Sequence, residues 1–221
     1  MRNRQLQDHI KGLMLYRSNI KKNSTAAKIL EMSYDVSEFS LFEMLGIIKK
    51  PYLYAKKIAL ELKYSGYLKS ESRGRYSITQ KGRWFVICQR FDGLSFLSLC
   101  LLAETYHKVK INPEWFYQLS AFRQYYEKGY GRGISLSTAI YNSKNISKSL
   151  RLLRERNLVH VVSGDFIKMT RPMINFLEKY DEDLDSLYSW CNDTYEKCIA
   201  HTIENNKLGS NMKNLFSKGS N

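Results

Sequence analysis

Lysines and arginines at helical spacing are the residues of this chain best equipped for chemistry, and what they offer is neutralisation of anions. Between positions 52 and 63, Tyr52, Tyr54, Lys56, Lys57 and Lys63 stand outside an apolar set, Ala55, Ile58, Ala59 and Leu62, spaced i, i+3, i+4 and i+7. Between 144 and 154, Lys144, Asn145, Ser147, Lys148, Arg151 and Arg154 stand outside a matching set, Ile146, Ser149, Leu150 and Leu153. That spacing is the buried stripe of a helix, which leaves the polar sets on the opposite face. A third cationic feature, Arg73 and Arg75 around Gly74, precedes the alternating run Tyr76-Ser-Ile-Thr79. Cations so placed can neutralise phosphates, while Tyr, Asn and Ser can hydrogen-bond base edges. The second helix has the better base-reading chemistry of the two. Lysines on an outer helical face also serve simply as solvated surface. The joint occurrence of two such helices and a cationic turn is what favours a polyanionic partner.

Other chemistries find little material. The four cysteines (Cys88, Cys100, Cys191, Cys198) and four histidines (His9, His107, His160, His201) are scattered without a C-x-x-C or H-x-x-x-H pair, so neither a disulfide framework nor a metal site is expected. Each cysteine reads as a small core hydrophobe. No G-x-S-x-G elbow, Walker loop or ligand cluster is present, and an enzyme or a cofactor is not expected. The acidic run Asp181-Glu-Asp-Leu-Asp185 falls on a predicted helix, where neighbouring carboxylates fan around the axis, and reads as a solvated face. Tyr130-Gly-Arg-Gly133 reads as a connecting loop.

The 221 residues carry a net charge of +14, with 43% hydrophobic residues, enough for packed cores. The charge is uneven: net +10 over residues 1–93, +7 over 94–171 and −3 over 172–221. A positive field over most of the chain favours nucleic acid first and an anionic membrane surface second. No run of eighteen apolar residues exists and the N-terminus lacks an apolar signal block, so a cytoplasmic, nucleoid-associated protein with no membrane partner is the expectation.

The elements that must position these cations repeat at an offset of 91 residues. Tyr64 to Thr79 lies without gaps on Glu155 to Thr170: Gly66 and Asn157 stand at a left-handed helix cap, Tyr67-Leu68 and Leu158-Val159 begin a strand, and Tyr76/Ile78 and Ile167/Met169 supply the apolar face of a return strand. Upstream, Ser24 opens a helix, and Ser40-Leu-Phe-Glu43 is a capping box opening a short helix through about Ile48. Pro51 begins the 52–64 helix, and the Asn142-Ser143 cap signal precedes its counterpart. In the second half, Asn112-Pro113-Glu114 opens an aromatic helix predicted through about Tyr126, and 136–141 is predicted as a short helix.

Leu62-Lys-Tyr-Ser-Gly-Tyr-Leu followed by Tyr76-Ser-Ile-Thr-Gln-Lys-Gly82 resembles the winged helix-turn-helix DNA-binding proteins of the prokaryotic and archaeal regulator type. In that family the third helix ends in L-x-x-x-G-(Y/L)-(L/I) and the wing returns as Y-x-(L/I)-T-x-K-G. The second half keeps the apolar skeleton and the threonine but has Asn157 for the glycine and Arg171-Pro172-Met173 where Gln-Lys-Gly would stand. The resemblance covers roughly residues 24–171. It implies a third helix in the major groove and a wing tip on backbone or minor groove. The second wing tip, Ser163-Gly-Asp165, has an acid and no arginine and is not expected to grip DNA.

The expectation is therefore a mainly α chain with short β-hairpins (α+β): an N-terminal winged helix over 1–92, a second over 93–171 with a leading linker helix, a long acidic helix over 172–208 and a flexible tail over 209–221. Met173, Leu177, Tyr180, Leu184, Leu187, Cys191 and Cys198 form a heptad seam on that last helix. The seam suits a homodimer through 173–202, or packing of the helix on its own domain. Double-stranded DNA is the expected partner and transcriptional regulation the expected role. A plasmid- or viral-type replication initiator, or a protein-interaction module of the transcription machinery, are the alternatives.

Overall fold

The computed structural model describes residues 20–71, 74–111, 117–118, 143–163 and 166–193, with backbone alone at 117–118, 143–146 and 163. The described residues are mainly helical with two small antiparallel sheets, an α+β chain. It divides into two compact units between Leu99 and Cys100. Among the described residues no helix is long and apolar enough to cross a membrane.

The first unit runs α1 (Thr25–Ser33), β1 (Phe39–Ser40), α2 (Leu41–Ile48), α3 (Tyr52–Tyr64), β2 (Leu68–Ser70), β3 (Arg75–Ile78) and α4 (Gln80–Arg90). Its starts are the ones the side chains prescribe. Ser24 Oγ accepts from the Ala27 amide (3.2 Å), and at α2 the Ser40 and Glu43 pair closes reciprocally, with the Ser40 amide donating to Glu43 Oε2 at 2.7 Å. That hydrogen bond to its carboxylate, ahead of the nearby Arg75 charge, holds the Glu43 carboxyl below the usual range. α3 starts after Pro51 and ends at Gly66 (φ 75°), where the Tyr67 amide bonds the Leu62 carbonyl and the Gly66 amide the Lys63 carbonyl, both at 2.9 Å. The strands order as β1-β3-β2, with Phe39 opposite Tyr76 and their rings stacked at 5.9 Å. Ala55, Ala59 and Leu62 of α3 lie in the core with Ile29, Leu30, Phe39, Met44, Tyr67, Leu68, Phe85 and Ile87.

Thr79, Lys81 and Gly82 of the Thr-Gln-Lys-Gly corner each have a structural task. Thr79 donates to the Gly66 carbonyl (2.7 Å) and accepts from the Gly82 amide (3.2 Å), so one hydroxyl joins the end of α3 to the start of α4. Lys81 donates to the Ser65 carbonyl at 2.7 Å and lies over the Tyr67 ring. Its burial lowers the ammonium pKa, as desolvation of a cation must. At Gly82 a Cβ would fall on the Tyr67 carbonyl oxygen and come within 2.6 Å of Ile78 Cγ1, so glycine is required there by space. α4 is buried on Trp84, Phe85, Val86, Ile87 and Cys88, and that burial pushes the Cys88 thiol up to about 12.

From α5 (Phe96–Ile111), which runs through the division, the second unit continues with β4 (Tyr117–Gln118), α6 (Ser143–Glu155), β5 (His160–Ser163), β6 (Phe166–Lys168), α7 (Arg171–Leu177), a 3-10 turn (Glu178–Tyr180) and α8 over 181–193. Both α3 and α6 are 13 residues long, and their bounds differ by the same 91 residues that relate the sequences. The ends match too: Asn157 (φ 55°) takes the left-handed position of Gly66, with the Leu158 amide on the Leu153 carbonyl and the Asn157 amide on the Arg154 carbonyl, both at 2.9 Å. Even the third strand keeps register, Tyr117 opposite Ile167 as Phe39 is opposite Tyr76, in the order β4-β6-β5.

Three expectations are corrected. The aromatic helix predicted from Asn112 is strand at Tyr117–Gln118, because β6 needs a second partner on its open edge; β4 supplies it. The C-terminal segment is helical over 171–193 but not one α-helix, since the 3-10 turn at Glu178–Tyr180 tightens it while keeping Leu177 and Tyr180 both buried. The acidic run is only partly a solvated face: Glu182 is exposed, but its neighbours are engaged within the unit. Asp181 accepts from Tyr106 and Lys110, each at 2.8 Å, Asp185 binds Lys110 (2.5 Å) and His107 Nδ1 (3.0 Å), and Asp183 is buried. The His107 ring stacks on Tyr188 at 3.9 Å.

The heptad seam is likewise covered within the chain. Leu177, Tyr180, Leu184, Leu187 and Cys191 are buried without a second copy and Met173 is half-buried, so these five positions are packed within the chain. From Leu97 to Tyr106 every side chain of α5 is buried as well, the pattern of a helix inside a core. The predicted short helix at 136–141, the 130–133 loop, Cys198 and the 209–221 tail lie outside the described residues.

Candidate nucleic-acid interface

Among the described residues, every cation that follows α3 in the first unit is engaged inside it. Arg90 pairs with Glu31 (2.7 Å) and Asp35 (3.2 Å) and lies over the Tyr34 ring; Arg83 takes the Tyr34 carbonyl (3.0 Å) and lies over the same ring. Lys69 pairs with Glu71 at 2.8 Å, as Lys22 near the start of the unit does with Asp92. The hydrogen bond between Lys69 and Glu71 raises the lysine pKa and, together with the bond from Ser77, lowers that of the carboxyl. Arg75 belongs with these engaged cations. It is the first residue of β3, its Nε pairs with Glu38 (3.2 Å) and its Nη1 lies 3.6 Å from Glu43, which tie the guanidinium to the unit's own acids.

The lysines of α3 form a different group. Lys56, Lys57 and Lys63 are exposed, and among the described residues none of them makes an ion pair; the same holds for Lys49 and Lys50 just before the helix. The buried stripe of Ala55, Ala59 and Leu62 fixes their direction, because residues on a helix are presented around its axis at fixed angles. Tyr54 is exposed and Tyr52 half-buried, its ring stacked on Phe42 at 4.5 Å. On the outer line, opposite the stripe, stand Leu53, Lys57, Leu60 and Tyr64, spaced i, i+4, i+7 and i+11, of which only Leu60 is half-buried. Leu53 and Tyr64, 77% and 85% exposed, lie outside the candidate set expected from sequence.

α6 carries the second group. Ser149 and Leu153 are buried and Ser147, Lys148, Arg151 and Arg154 exposed, as the spacing requires. Arg151 lies 3.6 Å from Glu155 one turn on, both well exposed, a contact that solvent weakens. The side chains of Lys144 and Asn145, and all of Arg73, lie outside the described residues. By the 91-residue offset, the line Leu53-Lys57-Leu60-Tyr64 of α3 corresponds to Lys144-Lys148-Arg151-Glu155 of α6. The hairpin after α6 differs as well: Phe166 stands where Arg75 stands, and Val162 and Phe166 are 53% and 39% exposed.

Two open grooves offer less. One is lined by Lys22, Lys28, Glu31, Gln89 and Arg90, the other by Tyr106, Lys110, Arg171, Asn175, Glu178 and Asp181. Both mix charges of either sign, so neither has the single-sign field that collects a charged ligand. Set beside protein-family models, curated proteins and solved structures, the chain matches none of them.

Proposed function

We propose that the chain is a tandem winged-helix protein that binds double-stranded DNA as a transcriptional regulator. The observation that carries the reading is the segregation of its cations. The described arginines and lysines that follow α3 in the first unit are engaged with acids, carbonyls or rings, while those of α3 stand exposed without ion pairs among the described residues, and α6 repeats the cationic face. An ammonium without an ion pair stays well hydrated, and on meeting a phosphate it displaces a counterion condensed on the DNA, which is the gain that drives binding. The order helix, strand, helix, helix, hairpin in the first unit, with β1 completing the sheet, supports the reading, since a winged helix of that order would present its third helix to a major groove.

Lys56, Lys57, Lys63, Lys148, Arg151 and Arg154 are the contacts this reading assigns first, with Tyr54 and Ser147 beside them. Arg75 is assigned a structural task in place of the phosphate contact expected from sequence. Binding of mixed-sequence duplex DNA by the full chain, followed by fluorescence anisotropy over a range of salt, tests the reading. The expected log–log slope is steep, close to −0.9 for each phosphate neutralised; a flat slope would remove the reading. A second reading, docking of another protein, is favoured by the exposed Val162 and Phe166 on the second hairpin. It predicts that a double change to serine at these two positions leaves DNA affinity untouched and abolishes capture of that partner.

A further inference from the structure

We infer that α3 selects thymine-rich duplexes by seating Leu53 against thymine methyl groups in the major groove, an inference that rests on the DNA-binding reading and deepens it. Leu53 lies on the outer line of α3, away from its buried residues, and is 77% exposed, flanked along the helix by Tyr54 (45% exposed), Lys56 and Lys57. Leu60, two turns on along the same line, is half-buried, so Leu53 is the aliphatic group that the helix presents in full. A leucine so exposed contributes little to the unit itself. Its neighbours decide what covers it. An apolar protein surface would have to desolvate the ammonium groups of Lys56 and Lys57, whereas a DNA groove offers phosphates on both rims for them and a floor for the leucine. Only one base presents an apolar group on that floor: the thymine C5-methyl. Guanine, adenine and cytosine present polar edges that leucine would strip of water without replacing its hydrogen bonds. Glu61, exposed one turn beyond Lys57, adds a repulsion toward phosphate at its own position, two turns away from Leu53. The corresponding position of α6 is Lys144, which has no methyl-bearing branch to place.

The test uses the full-length wild-type chain and one A·T-rich duplex made twice, once with thymine and once with deoxyuridine throughout, a replacement that removes the methyl groups and keeps charge and pairing. The thymine duplex is expected to bind more tightly, by about fourfold for each methyl covered, the equivalent of one buried CH2. Leu53→Ala is expected to lower affinity for the thymine duplex to that of the uracil duplex and to leave the latter unchanged; its exposed position keeps folding out of the result. Salt-dependent binding with equal affinity for both duplexes by the wild type overturns the inference and leaves DNA binding standing. So does a loss by Leu53→Ala that is the same on both duplexes. Absence of salt-dependent binding to either duplex overturns the DNA reading and the inference together.

Discussion

α3 and α6 have the same length, the same inward positions and the same left-handed cap, yet their outer lines share only a lysine: Leu53-Lys57-Leu60-Tyr64 against Lys144-Lys148-Arg151-Glu155. The inward residues are apolar at every position except Ser149, and those buried among the described residues, Ala55, Ala59, Leu62, Ser149 and Leu153, sit in packing where loss of a methylene is felt, while the outer ones are free to differ. The difference therefore separates what makes the unit from what the unit is for. One helix sets two leucines and a tyrosine around its outer lysine; the other carries cations at three of the four positions.

The strongest way to break this comparison is to test whether the inward residues are equivalent. Leu62→Ala and Leu153→Ala, 91 residues apart and both buried, should each destabilise their unit by about 2–5 kcal/mol, read by chemical denaturation with amide exchange resolving the two units. Unequal exchange effects would mean the two cores are not built alike. The corner after each hairpin should then differ: Gly82→Ala, forced against the Tyr67 carbonyl and Ile78, should cost about 1–3 kcal/mol. Met173→Ala, at the corresponding half-exposed position, should cost less than Gly82→Ala in the same assay.

Two charge experiments sharpen the functional side. Lys148→Ala with Arg151→Ala should reduce the magnitude of the salt slope by about 1.8, for two phosphates, and so should Lys56→Ala with Lys57→Ala. If Lys63 alone accounts for the slope, the assignment of α6 to phosphates is wrong. Acid separates the units differently. Burial raises the Asp185 carboxyl, but bonds from His107 and Lys110 outweigh it and leave it below its ordinary value. Its contribution to the second unit is present above an unfolded carboxyl pKa of about 3.9 and is lost as pH falls through the lower folded value. Lys110, which burial would lower and Asp181 and Asp185 raise, contributes below an unfolded pKa of about 10.4 and loses that contribution as pH rises through the higher folded value. Asp185→Asn should remove the acid-dependent protection of 100–111 and 181–193 from amide exchange.

The smallest effect is expected at Arg75. Its partners are Glu38 and Glu43, all three partly exposed, so Arg75→Ala should cost at most about 1 kcal/mol of stability and leave DNA affinity within about twofold in anisotropy titrations. A large loss of affinity would restore the phosphate contact that its position beside Gly74 first suggested.

Local instructions in this chain were legible because they act over a few residues. Ser24, the Ser40 and Glu43 pair, Pro51, Gly66 and Asn157 marked the ends of helices, and the i, i+3, i+4 spacing marked their inward faces. Leu53 escaped because an apolar residue outside the stripe is common on surfaces and carries no signal by type; only its exposure among lysines without ion partners among the described residues gives it meaning. β4 escaped because a two-residue strand has no periodicity of its own and exists through its pairing with β6.

The sequence by itself determined the helix ends marked by Ser24, the Ser40 and Glu43 pair, Pro51, Gly66 and Asn157, and the inward spacing of α3, since those choices are settled within a turn or a hairpin. Tertiary structure alone decided which charges are paired within the chain. Arg75 meets Glu38 across 37 residues, Arg90 meets Glu31 across 59 and Lys110 meets Asp181 across 71. Pairing of that kind depends on which surfaces fold against each other. A lysine of α3 and an arginine of β3, alike in the string, therefore end apart: the first without an ion pair among the described residues, the second tied to two glutamates.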